Sequence, residues 1–342
     1  MTTKISIGLF TGQIPAGSER SFHEEYRDYL DLVTHAETEG LDGAWVSEHH
    51  GSADGYLPSL LPMLAAFATV TERIDLGTGV VLAPFHDPLR LAEDFAVVDQ
   101  ISGGRVVAGL GVGWRDEEFR MFGVPQKERV RRIVETTEVM RRAWSGERFS
   151  FDGRHHTYRD VAVTPKPARP IPILIGGFVD DAIRRAGRIG DGYISSRAAP
   201  ERVREAFALA ARERAAAGRE GPPIVAVLQN AWVTEDPEGD WEMVRDGIGH
   251  QLGVYAGWRS GTDVPGASLE VMPPDEETIR RTTAYGTPDE VTTYLEPIVD
   301  ALRDYPEGHL ILRLHYPGMP AAPAKRAISL LAREVAPRLR ER

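Results

Sequence analysis

Apolar β-rich runs alternate with helical segments along almost the whole chain, and this alternation constrains the fold more than any other feature. The strand-like runs begin near residues 5, 43, 74, 105, 171, 192, 224 and 309. A repeated strand–helix–strand order predicts a parallel sheet with right-handed crossovers. Eight such strands favour an α/β fold closed into a (β/α)8 TIM barrel over an open sheet, which usually has fewer strands.

Two stretches interrupt the alternation. Residues 146–170 carry alternating aromatic and aliphatic residues around Asp152-Gly153, which is a hairpin signal, so we interpret them as an insertion in a single domain spanning 1–342. Residues 253–285 are rich in Gly, Pro, Asp and Thr and have weak periodicity. This composition predicts a long mobile excursion on one rim of the barrel, which is a candidate lid.

Composition and charge exclude several classes of function. The net charge of -11 argues against nucleic acid or an anionic membrane surface as the main partner. The chain has no cysteine, which excludes disulfides and cysteine-ligated metals and is compatible with a reducing cytoplasm, where we expect the protein. The sequence shows neither a secretion signal nor an apolar run long enough to cross a bilayer.

The second strand ends in Ser47-Glu48-His49-His50, a set of polar residues after a buried run. The carboxyl ends of barrel strands carry the chemistry of such folds. Because neighbouring strand residues point to opposite faces, at most one of the two histidines is expected to face the mouth. That histidine could transfer a proton, or it could only hold a loop in place. Adjacent histidines chelate poorly, so no metal site is predicted.

Glycines cluster at the ends of three other strands. Gly77 and Gly79 in the third strand, and those of 109–113 in the fourth, indicate either relief of crowding inside the barrel or a flat ligand close to the backbone. Gly176-Gly177 precedes a helix whose N-terminus could bind a phosphate through backbone N–H groups. The acidic pair Asp180 and Asp181 could cap that helix instead.

Taken in order, these motifs resemble the bacterial luciferase-like family of flavin-dependent oxidoreductases. The resemblance covers nearly the whole chain, and its specific part is 43–124, which contains Trp45-Val46-Ser47-Glu48-His49-His50, Leu76-Gly77-Thr78-Gly79-Val80 and Gly109-Leu110-Gly111-Val112-Gly113. It implies a (β/α)8 barrel with a flavin across the carboxyl ends of the strands, and a homodimer. It also implies a non-prolyl cis peptide at Gly79-Val80 beneath the ring.

The resemblance implies that His49 is the catalytic acid or base. The cofactor-binding positions that it indicates are Gly79, Val80, Gly111, Val112, Gly176, Gly177, Phe178 and Val179. We predict that the substrate pocket is lined by Glu48, His50, Trp114 and Trp258. Luciferases grip the cofactor phosphate with an arginine where this chain has Val112, so phosphate binding would fall to backbone N–H groups of 177–180, with Arg129 or Arg184.

The main functional hypothesis is a monooxygenase in which reduced FMN, supplied by a separate flavin reductase, reacts with oxygen and oxygenates a small organic substrate. The alternative is a hydride-transfer oxidoreductase of the same fold that uses a deazaflavin coenzyme and no oxygen. A non-catalytic flavin-binding protein and a metal-dependent barrel hydrolase are more distant alternatives.

Overall fold

The computed structural model describes residues 2–196, 199–260 and 275–341. Eight parallel strands close into a barrel in chain order, because the last strand pairs with the first. The fold prediction is therefore confirmed, and all eight predicted strands are present. The barrel strands are β1 (Thr2–Phe10), β2 (Gly43–Val46), β3 (Asp75–Thr78), β4 (Val106–Gly111), β5 (Ile173–Gly176), β6 (Gly192–Ser196), β7 (Ile224–Val233) and β8 (Glu307–Arg313).

Helices surround the barrel. They are α1 (Phe22–Thr38), α2 (Leu60–Val70), α3 (Pro88–Ser102), α4 (Asp116–Met121), α5 (Arg129–Trp144), α6 (Asp180–Ile189), α7 (Pro200–Ala216), α8 (Pro237–Ser260), α9 (Glu276–Arg281), α10 (Pro288–Arg303), α11 (Ala321–Leu330) and α12 (Ala336–Arg340), the last two joined by a π-helical turn, Leu331–Val335. Helix α10 begins at a reciprocal capping box formed by Thr287 and Glu290. In the described part of the chain, none of these helices has the length and apolar character that a bilayer span requires.

The predicted hairpin is also present. Strands Phe149–Asp152 and Thr157–Val161 pair antiparallel on either side of Gly153. They form a separate two-stranded sheet outside the barrel. The alternation of aromatic residues in this stretch therefore indicates a local hairpin, as the turn residues predicted.

The interior of the barrel is filled by the Trp45 indole and by aliphatic side chains from five other strands. A Cβ atom on Gly77 would lie 2.3 Å from the indole of Trp45, so this glycine is required by the close packing of β2 against β3. For Gly77, relief of crowding is the correct interpretation. Beyond Thr78 the strand breaks at the cis peptide Gly79-Val80, where the family resemblance placed one, and a second non-prolyl cis bond joins Gly8-Leu9.

Where the chain is described, the stretch 253–285 forms regular structure on both sides of its centre and not the irregular excursion that we expected, while its mobility stays a prediction. Helix α8 runs on to Ser260, and α9 and a short strand, Thr283–Gly286, follow from 276. Buried Val244, Ile248 and Val254 give α8 a packed face, and Gly247 allows the helix to approach Tyr316. Long-range packing therefore outweighs the low helix propensity of its glycines. Residues 261–274 of the predicted excursion lie outside the described residues.

Candidate functional site

The two histidines after β2 point into different surroundings at the mouth of the barrel. His49 Nδ1 lies 2.8 Å from Glu118 Oε1, and both side chains are buried. The backbone N–H of His50 donates to the same Glu118 oxygen at 2.9 Å. An ionised Glu118 carboxylate can only accept, which would place the proton of a neutral His49 ring on Nδ1 and leave the lone pair on Nε2. No described residue forms a hydrogen bond with Nε2.

His50 belongs instead to a polar network centred on Glu48. Glu48 Oε1 lies 2.7 Å from His50 Nε2 and 3.1 Å from His86 Nε2, and its Oε2 accepts from the backbone N–H of Leu82. Burial would raise the pKa of Glu48, but the bonds from the two histidines outweigh it and lower the pKa to about 2. This ionised carboxylate ties the end of β2 to the segment after β3, which is a supporting role.

Four aromatic side chains surround the His49 imidazole, and we call them the aromatic enclosure. They are Tyr56, Trp114, Tyr255 and Trp258, with ring centroids 4.8, 6.2, 5.4 and 4.6 Å from that of His49. The structure therefore brings the predicted pocket residues Trp114 and Trp258 together with His49. Their contact roles with a substrate remain predictions.

Sequence reasoning missed Glu118, Tyr56 and Tyr255. Glu118 is the last of three consecutive acidic residues at the start of α4, and this pattern is typical of an exposed first helical turn. Its side chain is nevertheless fully buried against His49, 69 positions away in the sequence. The spacing of Tyr255 and Trp258, which places both on one face of a helix, was the one available signal for the wall that α8 provides.

Beside the enclosure, half-buried Leu9, Val80 and Leu228 cover the packed interior and form an apolar floor. A Cβ on Gly111 would lie 2.5 Å from Val80, and one on Gly176 would lie 3.2 Å from it. A Cβ on Gly79 would lie 2.8 Å from Leu9. These predicted cofactor positions therefore surround the floor, and their glycines leave room for its two side chains.

The other predicted cofactor residues lie along the rim. Val112 is half-buried after β4, whereas Phe178 and Val179 are 68% and 66% exposed before α6. The expectation that acidic residues could cap α6 is not met: Asp180 accepts from Arg202 and Asp181 from Arg184. The N-cap residue Val179 offers no side-chain bond, so the first N–H groups of α6 lack a side-chain cap.

The buried acid Glu25 on α1 lies near the end of β8. Its Oε2 contacts Arg20 Nη2 at 3.2 Å, and its Oε1 is 3.7 Å from His315 Nδ1. Burial raises the pKa of Glu25 to about 7. In the unfolded chain the carboxyl is already ionised above about pH 4.5, so unfolding releases a proton between pH 4.5 and 7. Stability therefore falls as the pH rises through this window.

Glu25→Gln removes this pH dependence because the amide is neutral at every pH. We expect the variant and the parent to melt at similar temperatures near about pH 5, and the variant to gain about 2 kcal/mol relative to the parent near about pH 8. Thermal melting of both proteins across this range measures the difference. Burial lowers the pKa of His315 to about 4, and this makes stability rise with pH. Because His315 is present in both proteins, it does not change the difference between them. A difference in melting temperature that stays constant across this pH range would contradict the raised pKa of Glu25.

A cluster of side chains of the kinds that bind metal ions lies among the described residues at the opposite end of the barrel. Asp75, Glu307 and His309 place ligand atoms within 4.8 Å of one another. The Lys4 ammonium contacts both carboxylates, at 2.6 and 2.8 Å, and supplies the positive charge there. This cluster is therefore explained as an ion-pair network at the amino ends of the strands.

Comparison with known proteins agrees with this architecture. The chain is 31% identical over 328 residues to the F420-dependent glucose-6-phosphate dehydrogenase of Nocardia farcinica. The alignment covers 92% of this chain and 94% of the relative. The same enzyme of Kineococcus radiotolerans is 30% identical over 322 residues, or 91% and 92% of the two chains.

Solved structures are similar over their whole length. Monooxygenase RslO1 from Streptomyces bottropensis has a TM-score of 0.84 at 26% identity, covering 98% of this chain and 99% of that one. An F420-dependent secondary alcohol dehydrogenase has a TM-score of 0.77 at 21% identity, covering 99% and 100%, which shows likeness of fold. The model of the luciferase-like monooxygenase family matches residues 3–305, and the chain therefore belongs to that family.

Proposed function

We propose that the protein is a deazaflavin-dependent oxidoreductase that transfers a hydride between coenzyme F420 and a small alcohol or carbonyl compound. The observation that carries the proposal is the buried pair of Glu118 and His49 at the barrel mouth, whose second imidazole nitrogen is left for a ligand. The two relatives at 30% and 31% identity, both named F420-dependent, support the choice of coenzyme.

The residues at the mouth fit a coenzyme with a flat ring. The apolar floor of Leu9, Val80 and Leu228 offers a surface for it, and no side chain rises from Gly79 or Gly111 to obstruct the backbone there. Ligands of this size bind in largely apolar clefts with a few placed polar groups.

A phosphate on the coenzyme would meet positive charge at the N-terminus of α6. The buried Nε of Arg185 has no hydrogen-bond partner among the described residues, and the helix lacks a side-chain cap. Burial, and then the nearby Arg129 guanidinium, lower the pKa of Arg185, and the opposing influence of the Asp181 carboxylate is smaller. Arg184, by contrast, is paired with Asp181 and Glu213. Arg129 and Arg185 are therefore the better candidates.

When bound, the coenzyme supplies the carbon that accepts or returns a hydride. His49 holds its Nδ1 proton against Glu118, so its Nε2 can take the hydroxyl proton of an alcohol as the hydride leaves. Glu118 stabilises the resulting imidazolium, and in the reverse direction Nε2–H returns the proton to the carbonyl oxygen. The aromatic enclosure excludes water from this exchange.

A second candidate function is the FMN-dependent monooxygenase of our main sequence hypothesis, with its partner reductase. The whole-length similarity to monooxygenase RslO1, at 26% identity, favours it. The pair of His49 and Glu118 serves either reaction, because both need a positioned proton donor or acceptor beside the ring.

Anaerobic titration with F420 and FMN, in oxidised and reduced forms, followed by an oxygen-uptake assay in aerated buffer, separates the two functions. We expect F420 to bind and to be reduced when secondary alcohols or glucose 6-phosphate are supplied. Oxygen uptake with reduced FMN, without reduction of F420 by any alcohol tested, would favour the monooxygenase. Binding of neither cofactor would contradict both proposals.

A further inference from the structure

Arg313, the last residue of β8, is a buried cation that lacks the partners which other buried arginines have. The residue is 4% exposed, and among the described residues no carboxylate lies within 4.0 Å of its guanidinium. Arg105 and Arg115 are buried to a similar degree. Arg105 donates to four backbone carbonyls and a hydroxyl, and Arg115 pairs with Glu117 at 3.0 Å. A buried charge is costly unless it is paired, so Arg313 requires explanation.

The neutral amide of Gln251 is the contact that Arg313 makes on α8. With its oxygen turned toward the guanidinium, this amide accepts from both terminal nitrogens at 3.0 Å. The contact satisfies hydrogen bonds but leaves the positive charge uncompensated. Burial first, and then the cations Arg20 and Arg313, lower the pKa of the neighbouring His315 to about 4, so this histidine adds no charge. Among the described residues, Arg313 is therefore a positive charge on this side of the mouth that no carboxylate within 4.0 Å offsets.

Strand geometry places Arg313 on the inner side of the barrel. Ile311, two residues earlier on β8, belongs to the packed interior, and alternate residues of a strand share a face. Asn230 pairs with Arg313 in register on β7 and follows Leu228 by two residues, so it faces inward as well. Leu228 is part of the apolar floor. Arg313 therefore lies one inward-facing position beyond the apolar floor, on the side of the barrel mouth.

Asn230 has an unmet hydrogen-bonding requirement of its own. It is 2% exposed, and its Nδ2 has no partner among the described residues. A cation and an amide donor side by side, next to an apolar floor, match a flat ligand with one hydrocarbon end and one end rich in carbonyl oxygens that carries negative charge. The reduced ring of a flavin or deazaflavin, ionised in its pyrimidinedione part, has this chemistry.

We propose that Arg313 supplies the positive potential that makes the site prefer the reduced, anionic ring of its redox cofactor over the oxidised, neutral ring. The proposal rests on the proposed function, which requires such a cofactor. Charge near the ring nitrogens is an established means by which proteins tune a flavin. A unit charge a few ångströms away in a protein interior corresponds to about a 10- to 100-fold preference for the reduced form.

Two substitutions remove the charge in different ways. Arg313→Met deletes it and keeps the length of the side chain. Gln251→Glu keeps the arginine and provides a carboxylate at the position of the accepting amide, which neutralises the charge in place and is expected to be tolerated by the fold. Arg90→Met, on the exposed surface of α3, is the matched control for the loss of one arginine.

The measurement is the ratio of the dissociation constants of the oxidised and reduced cofactor, from anaerobic spectroscopic titration with FMN and with F420, together with the reduction potential of the bound cofactor. We expect the parent and Arg90→Met to bind the reduced form about 10- to 100-fold more tightly. Both Arg313→Met and Gln251→Glu should bring this ratio within about three-fold of unity, mainly by weakening the reduced complex. Circular dichroism and thermal melting verify that the variants are folded.

Each other outcome speaks against the inference. An unchanged ratio in Gln251→Glu, or equal weakening of both redox forms in Arg313→Met, would show that Arg313 serves structure alone. Equal affinity of the parent for both forms would overturn the inference while leaving the proposed function in place. Binding of neither cofactor by the parent would overturn both.

Discussion

Replacing His49 with alanine is expected to lower the turnover number about 100- to 10,000-fold, with cofactor affinity changed by less than about three-fold. The reason is that the imidazole Nε2 is the one side-chain nitrogen at the mouth that Glu118 orients and that no described residue engages. Steady-state rates of F420 reduction and cofactor titrations measure the two quantities. His23→Ala, at an exposed position on α1, is the matched control.

Glu118→Gln tests whether His49 acts through this pair. A glutamine amide can donate to Nδ1 and so place the ring proton on Nε2, which removes the base. We expect about a 100-fold loss of turnover and a changed pH–rate profile, whereas a purely structural role would alter thermal stability alone. Turnover by His49→Ala at the rate of the parent would remove the proposed role of the histidine.

The largest expected loss of stability comes from Arg105→Met. The guanidinium of Arg105 donates to carbonyls of Ala68 and Thr71 at the end of α2, and to those of Ile74 and Ser102, at 2.7–3.2 Å. Methionine fills similar space but leaves these buried carbonyls without a donor and the C-terminus of α2 without a cation. We expect the free energy of unfolding to fall by about 3 to 5 kcal/mol.

Chemical denaturation of Arg105→Met and of the control Arg90→Met measures this loss. The control side chain is 71% exposed and pairs with Asp94 on the surface, so its removal should cost less than about 1 kcal/mol. Equal midpoints for the two variants would contradict the argument from buried carbonyls.

The barrel could be predicted from the sequence because each strand is a local run whose apolar residues are buried on both faces. The cis peptide at Gly79-Val80 was also predictable, although through family resemblance and not through spacing. Helix α8 was underestimated, because its glycines lower local propensity while its stability comes from contacts with distant segments.

The candidate site was predicted only in part, for a physical reason. His49, Trp114 and Trp258 were predictable as polar or aromatic residues near strand ends or on the predicted rim. Glu118 and Arg313 were not, because an acidic residue at a helix start and an arginine at a strand end are ordinarily exposed. Their significance lies in their burial, which only the folded chain creates.

The sequence could not distinguish between the two cofactors either. Leu9, Val80 and Leu228 would support any flat ring, so the floor does not distinguish FMN from a deazaflavin. The relatives favour the deazaflavin, which was our alternative hypothesis and is now the leading proposal.

The indole of Trp45 has a kinetic consequence. Among the described residues, Trp45 and the five buried side chains packed around it are at most 3% exposed, so side chains fill the barrel beneath the floor and we expect ligands to enter from the mouth. A coenzyme lying on the floor is then covered by whatever binds above it. Loading should follow a compulsory order, coenzyme first and substrate second, with release in the reverse sequence.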